Sequence, residues 1–337
     1  MENSQTFKLT VIPAGHGDCF LVQCGQFNLL IDSGPSSADI RLRAHALLVK
    51  ALGRRQVIDL AIVTHYDDDH IGGMVHMLRS QSVKVERLLF NSPKLIQRFI
   101  DERTREEVRI TAADACEISE LLPPCNDTVI TAGAQLKLFG ERVILDVLSP
   151  LEDDIVHYGA SMIASLRREG NIGALGRDPV ICPTRNQLLA YPNPSKSDNS
   201  AANCLSLAFR LTFAGHKILF LGDSWPSRVS QSLPGDAVHT FDLVVVSHHG
   251  SQYNSTLELY KKVAAPDYLV STDGRRHPDI ETFARIVKTA GERDLTFHFS
   301  ETNDALTAMF KESDLKRRFP EQGVPLVFDF SAAKNRK

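Results

Sequence analysis

No stretch of the 337-residue sequence reaches 18 consecutive apolar residues, so none has the length to cross a bilayer as a helix. The first residues, Met1-Glu2-Asn3-Ser4-Gln5, lack the basic region and apolar run of a secretory signal, and a cytoplasmic location is the simplest expectation. Cysteine is sparse. The six, at 19, 24, 116, 125, 182 and 204, share no repeated ligand spacing and are too few for a disulfide scaffold, so most are expected to be small buried hydrophobes. An excess of positive charge is missing as well: a formal net charge of −3 argues against a uniformly basic surface. What remains is ordinary for a globular chain, with 43% hydrophobic and 23% charged residues. It is long enough to bury a large core.

The densest chemistry lies in Thr64-His65-Tyr66-Asp67-Asp68-Asp69-His70-Ile71-Gly72-Gly73. Ile58 and Leu60 to Val63 read as a strand running into the interior, and the polar residues begin where it stops. His65, Asp67, Asp69 and His70 place two imidazoles and two carboxylates within six positions, a density that divalent cations would compensate. Asp68 adds negative potential. Gly72-Gly73 reads as a turn into a helix carrying Met74, Val75, Met77 and Leu78. Strand end, short loop and helix start is a usual place for an α/β active site.

Polar groups follow an apolar strand twice more. Lys217 to Leu221 leads to Gly222-Asp223-Ser224, and Asp242 to Val246 leads to Ser247-His248-His249-Gly250-Ser251. Near the start, strands at 7–13, 19–24 and 27–31 surround Gly15-His16-Gly17-Asp18, and Asp32 falls at the third strand's end, where it can brace the metal loop. Helical patterns are expected at 40–52, 94–108, 112–122, 155–168, 257–263 and 280–290. Hairpins are expected at 135–148 and 204–221, and strands at 83–90, 268–271, 295–299 and 326–330. Glu152-Asp153-Asp154 reads as an acidic loop, 169–201 as a long excursion rich in glycine and proline, and Lys334 to Lys337 as a basic tail.

In this order of candidate ligands, the sequence resembles the metallo-β-lactamase superfamily of metal-dependent hydrolases. Within it, Gly15-His16-Gly17-Asp18-Cys19, Asn203-Cys204-Leu205-Ser206-Leu207 and His248-His249-Gly250-Ser251 look like the nuclease-like domain of bacterial DNA-uptake (competence) proteins and their free-standing relatives. The resemblance implies one domain over residues 1–337, an αββα sandwich of two mixed β-sheets with outer helices. It implies two divalent metal ions, manganese or zinc with magnesium also allowed. His65 and Asp67 would hold the first and Asp69 and His70 the second, Asp223 would bridge them, and His248 would complete the second. His249 would contact substrate or support its neighbour. His16, Asp18, Asp32, Arg275 and Arg276 would lie around the ligands or against substrate, and His277 would assist at a scissile phosphate.

Two departures stand out. Asp67 takes the place of the usual histidine, which adds negative charge and hardens the first site. The other histidine the superfamily commonly supplies before the bridging aspartate is missing, since the best-placed segment reads Val147-Leu148-Ser149-Pro150. His157, in the following helix, is the candidate replacement. The implied activity is phosphodiester hydrolysis of DNA or RNA by a metal-bound hydroxide oriented by Asp69. Alternatives are hydrolysis of a small phosphoester, lactone or thioester, or a catalytically weak sensor or scaffold. A protein partner from a neighbouring system and a role in antiviral defence also fit the resemblance.

Overall fold

Alternation along the strands dictates the layering. In Phe27–Ile31, Leu29 and Ile31 enter one apolar cluster and Leu30 another, the two-residue period of a strand. Leu60–Ile62 repeats this: Leu60 and Ile62 join Leu29, while Ala61 joins Leu30. In His216–Phe220, Ile218 and Phe220 enter the cluster of Leu29 and Leu219 a third cluster. Strands apolar on both sides must be covered on both.

The computed structural model describes residues 6–104, 113–165, 180–194 and 196–331. Two mixed sheets supply that cover for one another. The six-stranded sheet runs in the order Leu326–Asp329, Phe7–Val11, Phe20–Cys24, Phe27–Ile31, Leu60–Ile62, Leu88–Leu89. The eight-stranded sheet runs Arg317–Arg318, Thr296–Phe299, Asp267–Val270, Leu243–Val245, His216–Phe220, Ala208–Phe213, Val143–Ser149, Gln135–Leu138. Phe20 of the first and Phe220 of the second meet with ring centroids 5.9 Å apart in the shared core. Ala44, Leu48, Met74 and Met77, from helices Ala38–Leu52 and Asp68–Ser80, pack against the outward residues of the smaller sheet. Tyr260 of Leu257–Lys262 and Phe283 of Ile280–Ala290 do the same for the larger. The fold is thus mixed α/β, with paired mixed sheets and helices outside them.

Several boundaries differ from expectation, for local reasons. The helix after the central motif begins at Asp68, so Gly72 and Gly73 lie inside it and not in a turn. A Cβ on Gly72 would stand 2.2 Å from Ser36 N and one on Gly73 2.2 Å from Ser33 O; these glycines let the helix lie against the 33–36 backbone. Residues 83–90 divide into Lys84–Val85 and Leu88–Leu89, which pair in different sheets. Glu152-Asp153-Asp154 is the first turn of helix Glu152–Ser165, where carboxylates favour the helix N-terminus. Cys204 ends a short helix, Ala201–Cys204, and the strand starts at Ala208. Helices Arg185–Ala190, Pro226–Ser232 and Asp304–Met309 were not expected; the first has a Thr184–Gln187 capping box. The expected helix ends at 105–108 and 166–168, residues 169–179 and Ser195 of the excursion, and the basic tail lie outside the described residues. Among the described residues no helix is long and apolar enough to cross a membrane.

Candidate metal centre

Parallel pairing joins Phe27–Ile31 to Leu60–Ile62, and His216–Phe220 to Leu243–Val245 to Asp267–Val270. The carboxyl ends of these strands lead to Asp32, His65, Asp223, His248 and Ser271, where open α/β sheets place ligands. Buried Asp223 is the hub. Its Oδ1 lies 3.4 Å from His70 Nε2, and its Oδ2 lies 3.8 Å from His65 Nε2 and 3.5 Å from His248 Nε2. His65 Nε2 is also 3.5 Å from Asp67 Oδ2, while Asp69 lies 3.9 Å from His70 Nε2 and 3.3 Å from His249 Nε2. Metal bonds of about 2.1 Å put donors that share a cation about 3 to 3.5 Å apart, so most of these separations are close to ligand spacing.

The imidazoles are oriented from behind. His70 Nδ1 is 2.9 Å from Asp32 Oδ2, and Asp32 also accepts hydrogen bonds from Thr64 N at 2.8 Å and Thr64 Oγ1 at 2.7 Å. His249 Nδ1 donates to Ser271 O at 2.8 Å and His248 Nδ1 faces Asn254 Oδ1 at 2.8 Å. His65 Nδ1 lies 3.1 Å from Thr64 Oγ1 and 3.4 Å from Ser206 Oγ. Each ring is held at Nδ1 and turns Nε2 inward, the arrangement that orients metal-binding histidines. His65 Nε2, His70 Nε2 and Asp223 Oδ1 are buried without hydrogen-bond partners. Such orphaned groups are costly, and a cation is the partner that answers all three.

Electrostatics make the same demand. Burial opposes charge on His70, yet Asp223, Asp69 and Asp32 drive it well above the ordinary imidazole range. His249 is likewise raised, against burial, by Asp18 and Asp69. Burial raises Asp223, but His248, His70 and His65 hold it well below the usual carboxylate range. The carboxylates call for positive charge in their midst, and divalent cations supply it without protonating the ligands. The residues therefore fit a pair of metal ions.

The local backbone explains how neighbours in sequence serve opposite sides. His248 and His249 are both left-handed, with φ of 48° and 54°, a strained pairing for non-glycine residues that persists where surroundings enforce it. His249, rather than His248, joins Asp69 and His70, while His248 faces the Asp223 oxygen shared with His65. This reverses the order that the sequence resemblance implies. The Gly15–Asp18 loop is pressed onto the centre: Asp18 N donates to Asp69 O at 3.0 Å, and Asp18 Oδ1 is 3.5 Å from His249 Nδ1. His16, between them, is exposed. Exposed His157 is occupied with Asp153 O at 2.6 Å and joins none of the candidate metal groups among the described residues.

His277 stands beside the centre, its ring centroid 5.2 Å from that of His248, and burial pulls its pKa down. Arg275 and Arg276 are exposed on the same turn. Arg275 lines a cavity of about 750 Å³ together with Gly15, Arg43, Glu301 and Asn303. Sequence reasoning did not single out Ser206, Asp198 or Asn254. Ser206 Oγ accepts from Asp223 N at 3.1 Å. Ser206 and Asn203 belong to the motif at 203–207, the one sequence signal that pointed to this support.

Residues 12–89 match the model of the Metallo-beta-lactamase superfamily. Over that segment the chain is similar to the metallo-beta-lactamase superfamily. Among curated proteins none matches. Among solved structures, the metallo-beta-lactamase fold protein YhfI from Bacillus subtilis is 14% identical, with 96% of this chain and 99% of that one covered and a TM-score of 0.42. A diphosphatase from the PhnP family is 13% identical, with 96% and 98% covered and a TM-score of 0.40. The matched segment carries the strand ends and loops bearing Asp18, Asp32, His65, Asp67, Asp69 and His70. The superfamily is one of metal-dependent hydrolases.

Proposed function

We propose that the protein is a divalent-metal-dependent phosphodiesterase acting on DNA or RNA. The observation that carries the reading is the oxygen-rich ring of Asp67, Asp69 and Asp223 around imidazoles whose Nε2 atoms turn inward. His65 and Asp67 would hold one ion, Asp69, His70 and His249 the other, and Asp223 would bridge. Two such cations supply Lewis acidity toward a phosphoryl oxygen and acidify water. The oxygen-rich donor set suits manganese or magnesium, with zinc also allowed.

The remaining steps belong to side chains. Asp69 is partly open to solvent and can accept a proton from an attacking water while its other oxygen stays within the ligand cluster. His277, at the rim, can hydrogen-bond a non-bridging phosphate oxygen. Arg275 and Arg276 offer paired donors to neighbouring phosphates, and the adjoining cavity gives room for a nucleotide. The test is turnover of bis(4-nitrophenyl) phosphate, single-stranded DNA and RNA with added manganese. Failure on all three by folded, metal-loaded protein that cleaves a lactone or thioester would overturn the reading.

A further inference from the structure

The superfamily pattern leaves the first site one histidine short. The strand end expected to supply it carries Ser149, whose buried Oγ has no hydrogen-bond partner. We infer that His248 is the missing ligand of the first site, and that Asp198, from the 169–201 excursion, positions it through Asn254. The inference rests on the two-metal reading above.

His248 Nε2 is 3.5 Å from Asp223 Oδ2, the same oxygen that lies 3.8 Å from His65 Nε2, and His65 in turn is 3.5 Å from Asp67. His248 and His65 therefore approach the same Asp223 oxygen, and Asp67 lies against His65. His249 is turned the other way, toward Asp69 and His70. One histidine pair in consecutive left-handed residues thus serves both sites.

The hydrogen bonds behind His248 fix which nitrogen is free. Asn254 Nδ2 donates to Asp198 Oδ2 at 2.7 Å and to Asp223 O at 2.9 Å, both pure acceptors, so the amide orientation is set. Asn254 Oδ1 must then face His248 Nδ1 at 2.8 Å, and that nitrogen carries the hydrogen. Asn203 Nδ2, 3.3 Å from the same ring nitrogen, gives its hydrogen to Asp198 Oδ2 at 2.7 Å instead. The other Asp198 oxygen accepts from Ser200 N at 2.8 Å. The ring is left with an Nε2 lone pair aimed at Asp223 Oδ2. Asp198 is a positioning residue, joining the excursion to the metal centre without touching a ligand position itself.

Metal content decides the matter without an activity assay. Wild type loaded with Mn²⁺ or Co²⁺ and desalted should retain two ions per chain; retention of none would overturn the two-metal reading itself. His248→Ala should retain one. If His248 and Asp67 share a site, His248→Ala/Asp67→Ala should also retain one, whereas His248→Ala/His249→Ala should retain none. The reverse, with the first double variant empty and the second keeping one ion, would overturn the inference, as would two retained ions in His248→Ala. For Asp198, titration of Asp198→Asn with Co²⁺ should show the first ion about 10- to 100-fold weaker and the second unchanged. Nitrogen NMR of His248 should show loss of the single Nδ1–H form in that variant, with Asp198→Glu restoring part of it. An unchanged tautomer and an unchanged first-ion affinity would remove Asp198 from the role.

Discussion

Asp223 Oδ1 stands 3.4 Å from His70 Nε2, both atoms buried and both without a hydrogen-bond partner. They face one another at ion-pair distance without a hydrogen bond, and a cation between them would satisfy both. Asp223→Ala removes the group common to both proposed ligand sets. It should leave fewer than two ions bound after desalting and lower phosphodiester turnover by at least about 100-fold. Unchanged metal content and turnover would show that Asp223 does not bridge.

His277 and Arg275 should separate chemistry from binding. His277→Ala is expected to reduce kcat roughly 100-fold while leaving metal content intact, because the ring lies beside His248 and outside the ligand clusters. Arg275→Ala should raise KM for nucleic acid with little change in kcat, since its exposed guanidinium, 3.4 Å from Asp273, belongs to none of the metal-donor groups among the described residues. Equal loss of kcat in both variants would break the division of roles.

Gly17 and Gly73 are places where only a missing side chain lets the centre close. A Cβ on Gly17 would meet Asp69 O at 2.2 Å, and one on Gly73 would meet Ser33 O at the same distance. Backbone cannot yield as a flexible side chain does. Alanine at either position should cost about 2 to 3 kcal/mol in urea unfolding. Gly17→Ala should in addition weaken metal retention, because it displaces the carbonyl of Asp69, a proposed ligand residue. A cost below about 0.5 kcal/mol would show that the loop relaxes.

Much of this architecture was legible in the chain. Phe27–Ile31 and Ile280–Ala290 fall where their apolar periods place them, because each is packed along an uninterrupted face. The strand ends bring His65, His70 and Asp223 close to one another, Asp69 near His70, and Asp67 within 3.5 Å of His65. What periodicity could not supply was orientation. Whether His248 or His249 faces Asp69 depends on two left-handed residues, and no hydrophobic pattern encodes φ at a histidine. The Asp198–Asn254 contact joins positions 56 residues apart through amide hydrogen bonds, which leave no local signature. Gly72-Gly73 misled for a related reason: glycine usually signals a turn, but here it serves close packing of a helix.

A last expectation concerns pH and a histidine remote from the proposed metal ligands. His45, on the helix Ala38–Leu52, is half-buried, with Nε2 2.9 Å from Ser82 Oγ and its ring edge-on to His76. Burial, aided by His76, pulls its pKa below the ordinary value of 6.5. The sign follows from which state takes the proton first. Above pH 6.5 both folded and unfolded chains carry neutral His45 and its contribution is intact. As pH falls through 6.5 the unfolded chain is protonated while the folded one lags, so stability is lost down to the lower folded pKa. Other groups titrate in the same range, among them His70 and His249, whose raised values act in the opposite direction. The informative quantity is therefore the difference between wild type and His45→Gln in urea unfolding at pH 7.5 and pH 5.5. Wild type should lose more stability than the variant over that interval. Parallel losses in the two proteins would show that His45 titrates alike in both states, and that the ring gains nothing from remaining neutral beside Ser82.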